Sequence, residues 1–195
     1  MKKVSLWVLL LLLSPALFAA QNQPEKKQVR PALIVIDIQN QYLPYMAEKD
    51  SKLTYATING AIALFRQYNC PVIRVYHTDP QWGPSPDTNE FEFDPAINIE
   101  PNDQQIIKNF PSAFKKTDLD QYLRDRKCNT LFLCGLSAVG CVLATYHSAI
   151  DLDYNVFMLK DGLMSQNFDY TDFVEDAMES VSYYTLKFIL ESTQE

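Results

Sequence analysis

The chain has few basic residues, and this scarcity narrows the classes of partner. It contains 17 lysines and arginines against 24 acidic residues, so its formal net charge at pH 7 is −7. It also lacks any cluster of basic residues with interleaved aromatic residues. These two observations argue against nucleic acid or an anionic membrane surface as partner, because each of those partners carries many negative charges.

Cysteine is also scarce, and its four positions form no Cys-x-x-Cys motif, which disfavours a thiol redox enzyme. Cys128 and Cys134 flank one predicted strand and lie roughly 20 Å apart at about 3.3 Å per residue, so they cannot form a disulfide with each other. Cys70 precedes another strand at the same end of the sheet, so a Cys70–Cys128 disulfide stays open. A disulfide framework therefore does not organise this chain.

No apolar run is long enough for a clear membrane span, and the most apolar segment lies at the N-terminus. Met1-Lys2-Lys3 is basic, Val4 to Leu13 is apolar, and Ser14 to Ala20 is rich in small residues. This layout predicts a signal peptide over residues 1–20 and a secreted or periplasmic protein. An uncleaved N-terminal anchor is the alternative. No cysteine follows the apolar run, which argues against a lipid-modified N-terminus.

Residues 21–30 are polar and are predicted to form a linker, and residues 31–195 are predicted to form one domain that alternates strand and helix patterns. Such alternation predicts a three-layer α-β-α fold, with a mostly parallel sheet covered by helices on both faces. Gln81–Asp103 has no sustained period and is predicted to be a long excursion that faces substrate. The predicted strands are Pro31–Ile38, Val72–Tyr76, Gln104–Phe110, Thr130–Cys134 and Asn155–Leu159. The predicted helices are Thr54–Tyr68, Asp118–Arg126, one from Cys141 onward, Thr171–Met178 and Tyr183–Leu190.

Asp37, Lys108 and Cys141 each fall at the carboxyl end of a predicted strand or in the turn after it. In a parallel sheet these ends share one crevice, so we expect the three side chains to form one constellation. Cys141 begins a helix, where unsatisfied N–H groups and the helix dipole favour a thiolate. A small apolar packing residue at the helix start is the alternative. His77 and Asp79 are interpreted as a local hydrogen-bonded pair, because two candidate ligands do not make a metal site.

Three motifs together resemble the isochorismatase-like family of cysteine hydrolases, over about Pro31 to Leu190. They are Ile36-Asp37-Ile38-Gln39-Asn40, then Lys108 with Ser112-Ala113-Phe114, then Cys134-Gly135-Leu136-Ser137 followed by Cys141-Val142. The resemblance implies a catalytic triad of Asp37, Lys108 and Cys141. It also implies a non-proline cis peptide at Leu136–Ser137, an oxyanion hole made by the N–H groups of Ser137 and Cys141, and a homo-oligomer.

The chain departs from the family pattern at two places. Nicotinamidases of the family bind a metal through Asp-x-His after the second strand, but here Val75 precedes His77 at the carboxylate position. We therefore expect no metal and no cofactor. Family members often have threonine and a polar pair before the cysteine, whereas Ala138-Val139-Gly140 stands here, so the substrate contacts of those side chains are missing. Aromatic residues are predicted to wall the substrate pocket, with packing in the core as the alternative: Tyr42, Tyr45, Trp82, Phe110 and Phe114.

Cys141 favours the amidase branch of the family, because true isochorismatases cleave a vinyl ether and generally lack the nucleophilic cysteine. The resemblance thus implies an exported cysteine hydrolase that cleaves the C–N bond of a small amide. Asp37 would take the thiol proton, Cys141 would attack the carbonyl carbon, and Asp37 would then activate water to hydrolyse the thioester. An isochorismatase-type ether hydrolase is the alternative enzyme, and a non-catalytic binding protein on the same fold is the alternative from another class.

Overall fold

The computed structural model describes residues 28–47 and 51–193. The predicted signal peptide lies outside the described residues. Residues 28–30, the expected end of the linker, are fixed to the domain: the Arg30 N–H donates to Asn129 Oδ1 at 2.9 Å, and Asn129 Nδ2 donates to the Gln28 carbonyl at 2.8 Å. In the described part of the chain, none of the helices combines the length and the apolar character that a membrane crossing needs.

Across the described residues, six strands form one parallel sheet in the order β3-β2-β1-β4-β5-β6. Helices cover both faces, which confirms the predicted three-layer α/β fold. The strands are β1 (Pro31–Ile36), β2 (Val72–His77), β3 (Gln104–Lys108), β4 (Thr130–Leu136), β5 (Asn155–Met164) and β6 (Ser180–Val181). The helices are α1 (Ser51–Gln67), α2 (Leu119–Asp125), α3 (Leu143–Asp151), α4 (Phe168–Ala177) and α5 (Tyr183–Ser192).

In the described part of the chain, two apolar clusters, one on each face of the sheet, form the core. β1 is buried along its whole length and its residues alternate between the clusters, so Ile34 belongs to one and Val35 to the other. Full burial on both faces explains why β1 is a continuous aliphatic run. One cluster takes in residues of α2, α3 and α4, and the other takes in residues of α1 and α5.

Several element ends differ from the prediction. β1 ends at Ile36, because Asp37 adopts a left-handed conformation with φ 54°. β5 was expected to stop at Leu159, but it runs to Met164 through an irregularity at Asp161, which also has positive φ. Beyond that irregularity, Leu163 and Met164 pair again with β4. The two-residue strand β6 had no signal in the sequence, since it is too short to show a period.

The excursion between β2 and β3 only partly faces the site. Phe91 and Phe93 are buried, and their rings lie 4.8 and 4.6 Å from the Tyr76 ring. Its first turn, in contrast, contributes Trp82 and Gly83 to the cavity described below. The beginning of the excursion therefore lines this cavity, whereas its middle completes the core.

Candidate active site

The strand ends bring distant side chains together at one edge of the sheet. Asp37 follows β1, and its left-handed φ is a conformation that aspartate tolerates better than most residues. His77 ends β2 and Lys108 ends β3, and the two are direct partners in the parallel register. Cys141 follows β4, the other neighbour of β1. The order of connection reverses between β1 and β4, which is where open α/β sheets bind ligands.

Lys108 contacts the three other polar side chains at this edge of the sheet. Its Nζ lies 2.7 Å from Asp37 Oδ2, 2.9 Å from His77 Nδ1 and 3.2 Å from Cys141 Sγ. An ammonium has three N–H donors and no acceptor, so each donor has one partner and His77 Nδ1 must be the acceptor. The structure thus brings together Asp37, Lys108 and Cys141, and adds His77.

Burial dominates the electrostatics of the Asp37–Lys108 pair, whose side chains are 2% and 0% exposed. Burial raises the pKa of Asp37 above its ordinary value, and the Lys108 ammonium acts in the opposite direction. Within the described residues, Asp37 Oδ1 is buried and has no hydrogen-bond partner. Burial also lowers the pKa of His77 to about 4, and Lys108 lowers it further, so this imidazole is neutral near pH 7.

The Cys141 thiol is protonated at rest, contrary to the sequence-based expectation. Burial and the Asp37 carboxylate raise its pKa to about 12, while Lys108 lowers it. Cys141 lies in a π-helical turn, Ala138–Val142, that precedes α3, and Gly140 has non-helical angles there (φ −111°, ψ −109°). The helix start was expected to favour the thiolate, but desolvation and the neighbouring carboxylate have the larger effect.

The backbone beside Cys141 is closely packed. The Leu136–Ser137 peptide is cis. Gly135 has φ 111°, and a Cβ at this position would lie 2.1 Å from the carbonyl oxygen of Ile36. Only glycine can therefore occupy this place between β1 and the end of β4. Of the three apolar residues that replace the family's polar turn, Ala138 is fully buried and Val139 is 36% exposed.

Two buried polar side chains hold the site in place, and local sequence patterns did not predict their roles. Gln39 donates to the carbonyls of His77 (3.0 Å) and Phe91 (2.9 Å) and accepts from the His77 N–H (2.7 Å). Thr145 Oγ1 donates to the Cys141 carbonyl (2.7 Å) and accepts from the Ala113 N–H (3.0 Å). The only sequence signal was the presence of Gln39 and Ala113 in the family motifs.

A cavity of about 320 Å³ opens onto Cys141 and Asp37. Tyr42, Tyr45 and Trp82 line it as expected, and Trp82 is 84% exposed at its rim. In the described part of the chain, the Tyr42 hydroxyl is buried without a hydrogen-bond partner. Burial raises its pKa, and so do the nearby Asp37, Cys141 and Asp79. The cavity lining also includes Met46, His77, Asp79, Gly83, Leu136 and Ser137.

Phe110 and Phe114 were expected in this pocket, but the structure places both outside the described lining. The Phe114 ring stacks 5.8 Å from the Tyr154 ring and packs against the core. The Phe110 ring lies 4.3 Å from Lys115 Nζ. Both residues follow β3 closely in sequence, but the turn after Lys108 carries them away from the cavity.

His77 does not pair with Asp79 as expected. Its Nδ1 is the acceptor for Lys108, whereas Asp79 Oδ1 accepts from the backbone N–H groups of Gln81 (2.8 Å) and Trp82 (3.0 Å). Ligand atoms of Asp37, His77 and Cys141 lie within 4.8 Å of one another, a spacing that could hold a metal ion. The Lys108 ammonium contacts all three groups and already supplies the positive charge there.

At the carboxyl edge of this three-layer α/β fold, a partly buried cysteine lies beside a buried carboxylate and a buried ammonium, an arrangement suited to hydrolysis. The comparisons with known proteins agree, since the isochorismatase domain model matches residues 31–187. The chain belongs to the isochorismatase family and is a hydrolase. It is 30% identical over 157 residues to the isochorismatase family protein YddQ of Bacillus subtilis, covering 78% of this chain and 87% of that protein.

Solved structures share the fold. An isochorismatase family protein from Burkholderia thailandensis superposes with a TM-score of 0.72 at 25% identity, covering 83% of this chain and 96% of that one. The N-carbamoylsarcosine amidase of Thermoplasma acidophilum has a TM-score of 0.67 at 24% identity, covering 79% of this chain and 95% of that one.

Proposed function

We propose that this protein hydrolyses the C–N bond of a small amide through a thioester on Cys141. The observation that carries the proposal is the contact of one buried ammonium with both the carboxylate and the thiol, since Lys108 Nζ reaches Asp37 and Cys141 at 2.7 and 3.2 Å. A nucleophile beside a base that a third group orients is the arrangement that covalent catalysis needs. The cavity beside Cys141 admits a small molecule.

The first half of the reaction forms the thioester. Because burial raises the pKa of Asp37, this carboxylate is a stronger base than an exposed one and takes the Cys141 proton as the sulfur attacks the carbonyl carbon. Lys108 stabilises the sulfur while it carries negative charge. The N–H groups of Ser137 and Cys141 receive the oxyanion. Asp37 then gives its proton to the nitrogen, and ammonia or an amine leaves.

The second half regenerates the thiol. Asp37 takes a proton from water, and the resulting hydroxide attacks the thioester carbonyl. The sulfur leaves, recovers the proton from Asp37, and a carboxylic acid is released. The neutral His77 keeps its Nδ1 as an acceptor for Lys108, so the ammonium stays oriented between Asp37 and Cys141 throughout.

Export and self-association complete the proposal. The pattern of residues 1–20 supports export to the periplasm or the medium. Exposed aromatic side chains on α4 and α5 support a homo-oligomer, since Phe173, Tyr184 and Phe188 are 63%, 81% and 69% exposed. Cell fractionation tests the first expectation and sedimentation of the purified protein tests the second.

Replacement of the nucleophile tests the reaction. We expect Cys141→Ala to release neither ammonia nor amine from any amide that the unaltered protein hydrolyses, while its thermal unfolding stays unchanged, because the substitution is small. Cys134→Ala is the matched control, since Cys134 is fully buried in the core and away from the cavity. Turnover that survives in Cys141→Ala would refute the thiol mechanism, and release of pyruvate from a vinyl ether substrate would indicate ether hydrolysis instead.

A further inference from the structure

Asp79 is a carboxylate that the proposed mechanism does not use. It lies on the wall of the cavity, and within residues 28–47 and 51–193 no cationic side chain pairs with it. Its Oδ1 accepts hydrogen bonds from the backbone N–H groups of Gln81 and Trp82. These two bonds hold the carboxylate in position, and among the described residues no hydrogen bond is made to Oδ2.

The turn that carries Asp79 is tightly closed. The Gly83 N–H donates to the Asp79 carbonyl at 3.0 Å. A Cβ at Gly83 would lie 2.2 Å from the backbone nitrogen of Asp79, so no larger residue fits without movement of the chain. The turn therefore sets Asp79 and the exposed Trp82 ring at the same cavity.

The described lining offers no positive charge that could offset Asp79. His77 is neutral near pH 7, because its pKa is lowered to about 4. Lys108 has its three donors directed at Asp37, His77 and Cys141. The aromatic rings of Tyr42, Tyr45 and Trp82 supply π faces, which attract cations.

We propose that the substrate of this site is an amide that also carries a cationic ammonium group, which Asp79 and the aromatic wall bind. The proposal rests on the amidase function proposed above. A carboxylate together with aromatic faces favours a cation over an uncharged group of the same shape, and an anionic substrate would be repelled. The charge of Asp79 thus selects among the small amides that would fit the cavity.

Charged thiol reagents test the preference without any need for turnover. The 2-(trimethylammonium)ethyl and 2-sulfonatoethyl methanethiosulfonates transfer their groups to a cysteine sulfur by the same step and differ in charge. We measure both rates at Cys141 by peptide mass and divide their ratio by that for a free thiol. We expect the cationic reagent to be favoured at least tenfold, and Asp79→Asn to reduce this preference at least threefold. The asparagine keeps an oxygen for the backbone N–H groups.

Asp153→Asn is the control, because it removes the same charge just before β5, at the opposite edge of the sheet. It should leave the reagent ratio unchanged. A ratio that is equal in the unaltered protein and in Asp79→Asn would overturn the proposed role of Asp79.

Three matched amides test the substrate itself: 4-(trimethylammonio)benzamide, its uncharged isostere 4-tert-butylbenzamide, and the anion 4-carbamoylbenzoate. We expect kcat/KM for ammonia release to fall in that order, and Asp79→Asn to lower the ratio of the first to the second at least fivefold. A cationic amide no better than its isostere would overturn the inference. If none of the three is hydrolysed while the reagent ratio still falls in Asp79→Asn, the amidase proposal fails and the cation preference of the cavity stands.

Discussion

Replacing Asp37 by asparagine should abolish turnover and at the same time make Cys141 more reactive towards an alkylating reagent. Turnover is lost because the side-chain amide of the new asparagine cannot take the thiol proton from Cys141. The thiol becomes more acidic because the Asp37 carboxylate is one of the two causes that raise its pKa to about 12. When that carboxylate is removed, the buried Lys108 ammonium still lies 3.2 Å from the Cys141 sulfur. It can then stabilise the thiolate.

The size of the effect follows from the geometry. A carboxylate oxygen of Asp37 lies within 4.8 Å of the Cys141 sulfur. At an effective dielectric constant of about 20, two unit charges at that separation interact by about 3.5 kcal/mol, or about 300-fold in the ionisation constant of the thiol. A more acidic thiol is also a weaker nucleophile, with a Brønsted coefficient of about 0.4–0.5, so the expected gain in rate at pH 7 is about 20-fold.

The assay is the second-order rate of iodoacetamide alkylation at pH 7, with Cys141 resolved from the other three cysteines by peptide mass. Asp153→Asn is the matched control, because Asp37 and Asp153 both have left-handed backbones (φ 54° and 66°) and asparagine tolerates that conformation equally. Asp153→Asn should alkylate at the rate of the unaltered protein. An Asp37→Asn protein whose Cys141 alkylates no faster would refute the electrostatic argument, whatever its turnover.

Two further substitutions test the stability of the surrounding structure. Burial raises the pKa of Glu175 to about 7 from an ordinary value of 4.5, so its contribution to stability is full below pH 4.5 and is lost as the pH rises through about 7. We expect Glu175→Gln to abolish this decline in a series of thermal melts, and the neighbouring Asp176→Asn to retain it; a decline that persists in Glu175→Gln would contradict the assignment. Gln39→Met removes three hydrogen bonds and leaves buried partners such as the His77 N–H unsatisfied, so urea unfolding should show a loss of at least about 2 kcal/mol. Gln41→Met should cost far less, and equal losses for the two would refute the bonding role of Gln39.

Local patterns in the sequence were sufficient to predict the fold class and the edge of the sheet where the site lies. The buried aliphatic run of β1 and the alternation of strands with helices predict a parallel sheet, because only a sheet covered on both faces buries such runs. Parallel strands place their carboxyl ends at one edge, and so the order of the elements is enough to group Asp37, Lys108 and Cys141. The aromatic pocket was predicted only in part, since Phe110 and Phe114 lie outside it.

How that edge functions depends on contacts that form only in the folded chain. The role of His77 depends on the register of β2 against β3, which places it beside Lys108. The role of Gln39, just after β1, depends on its contact with Phe91, which lies 52 residues further along the chain in the excursion between β2 and β3. The high pKa of Cys141 depends on desolvation and on the distance to Asp37, whereas its place at a helix start pointed towards the thiolate. The pattern of the sequence determined which backbone elements form and which residues end them. Burial and contacts between distant segments determined the charge state, the hydrogen bonds and the cavity walls, because these arise only when the chain has folded.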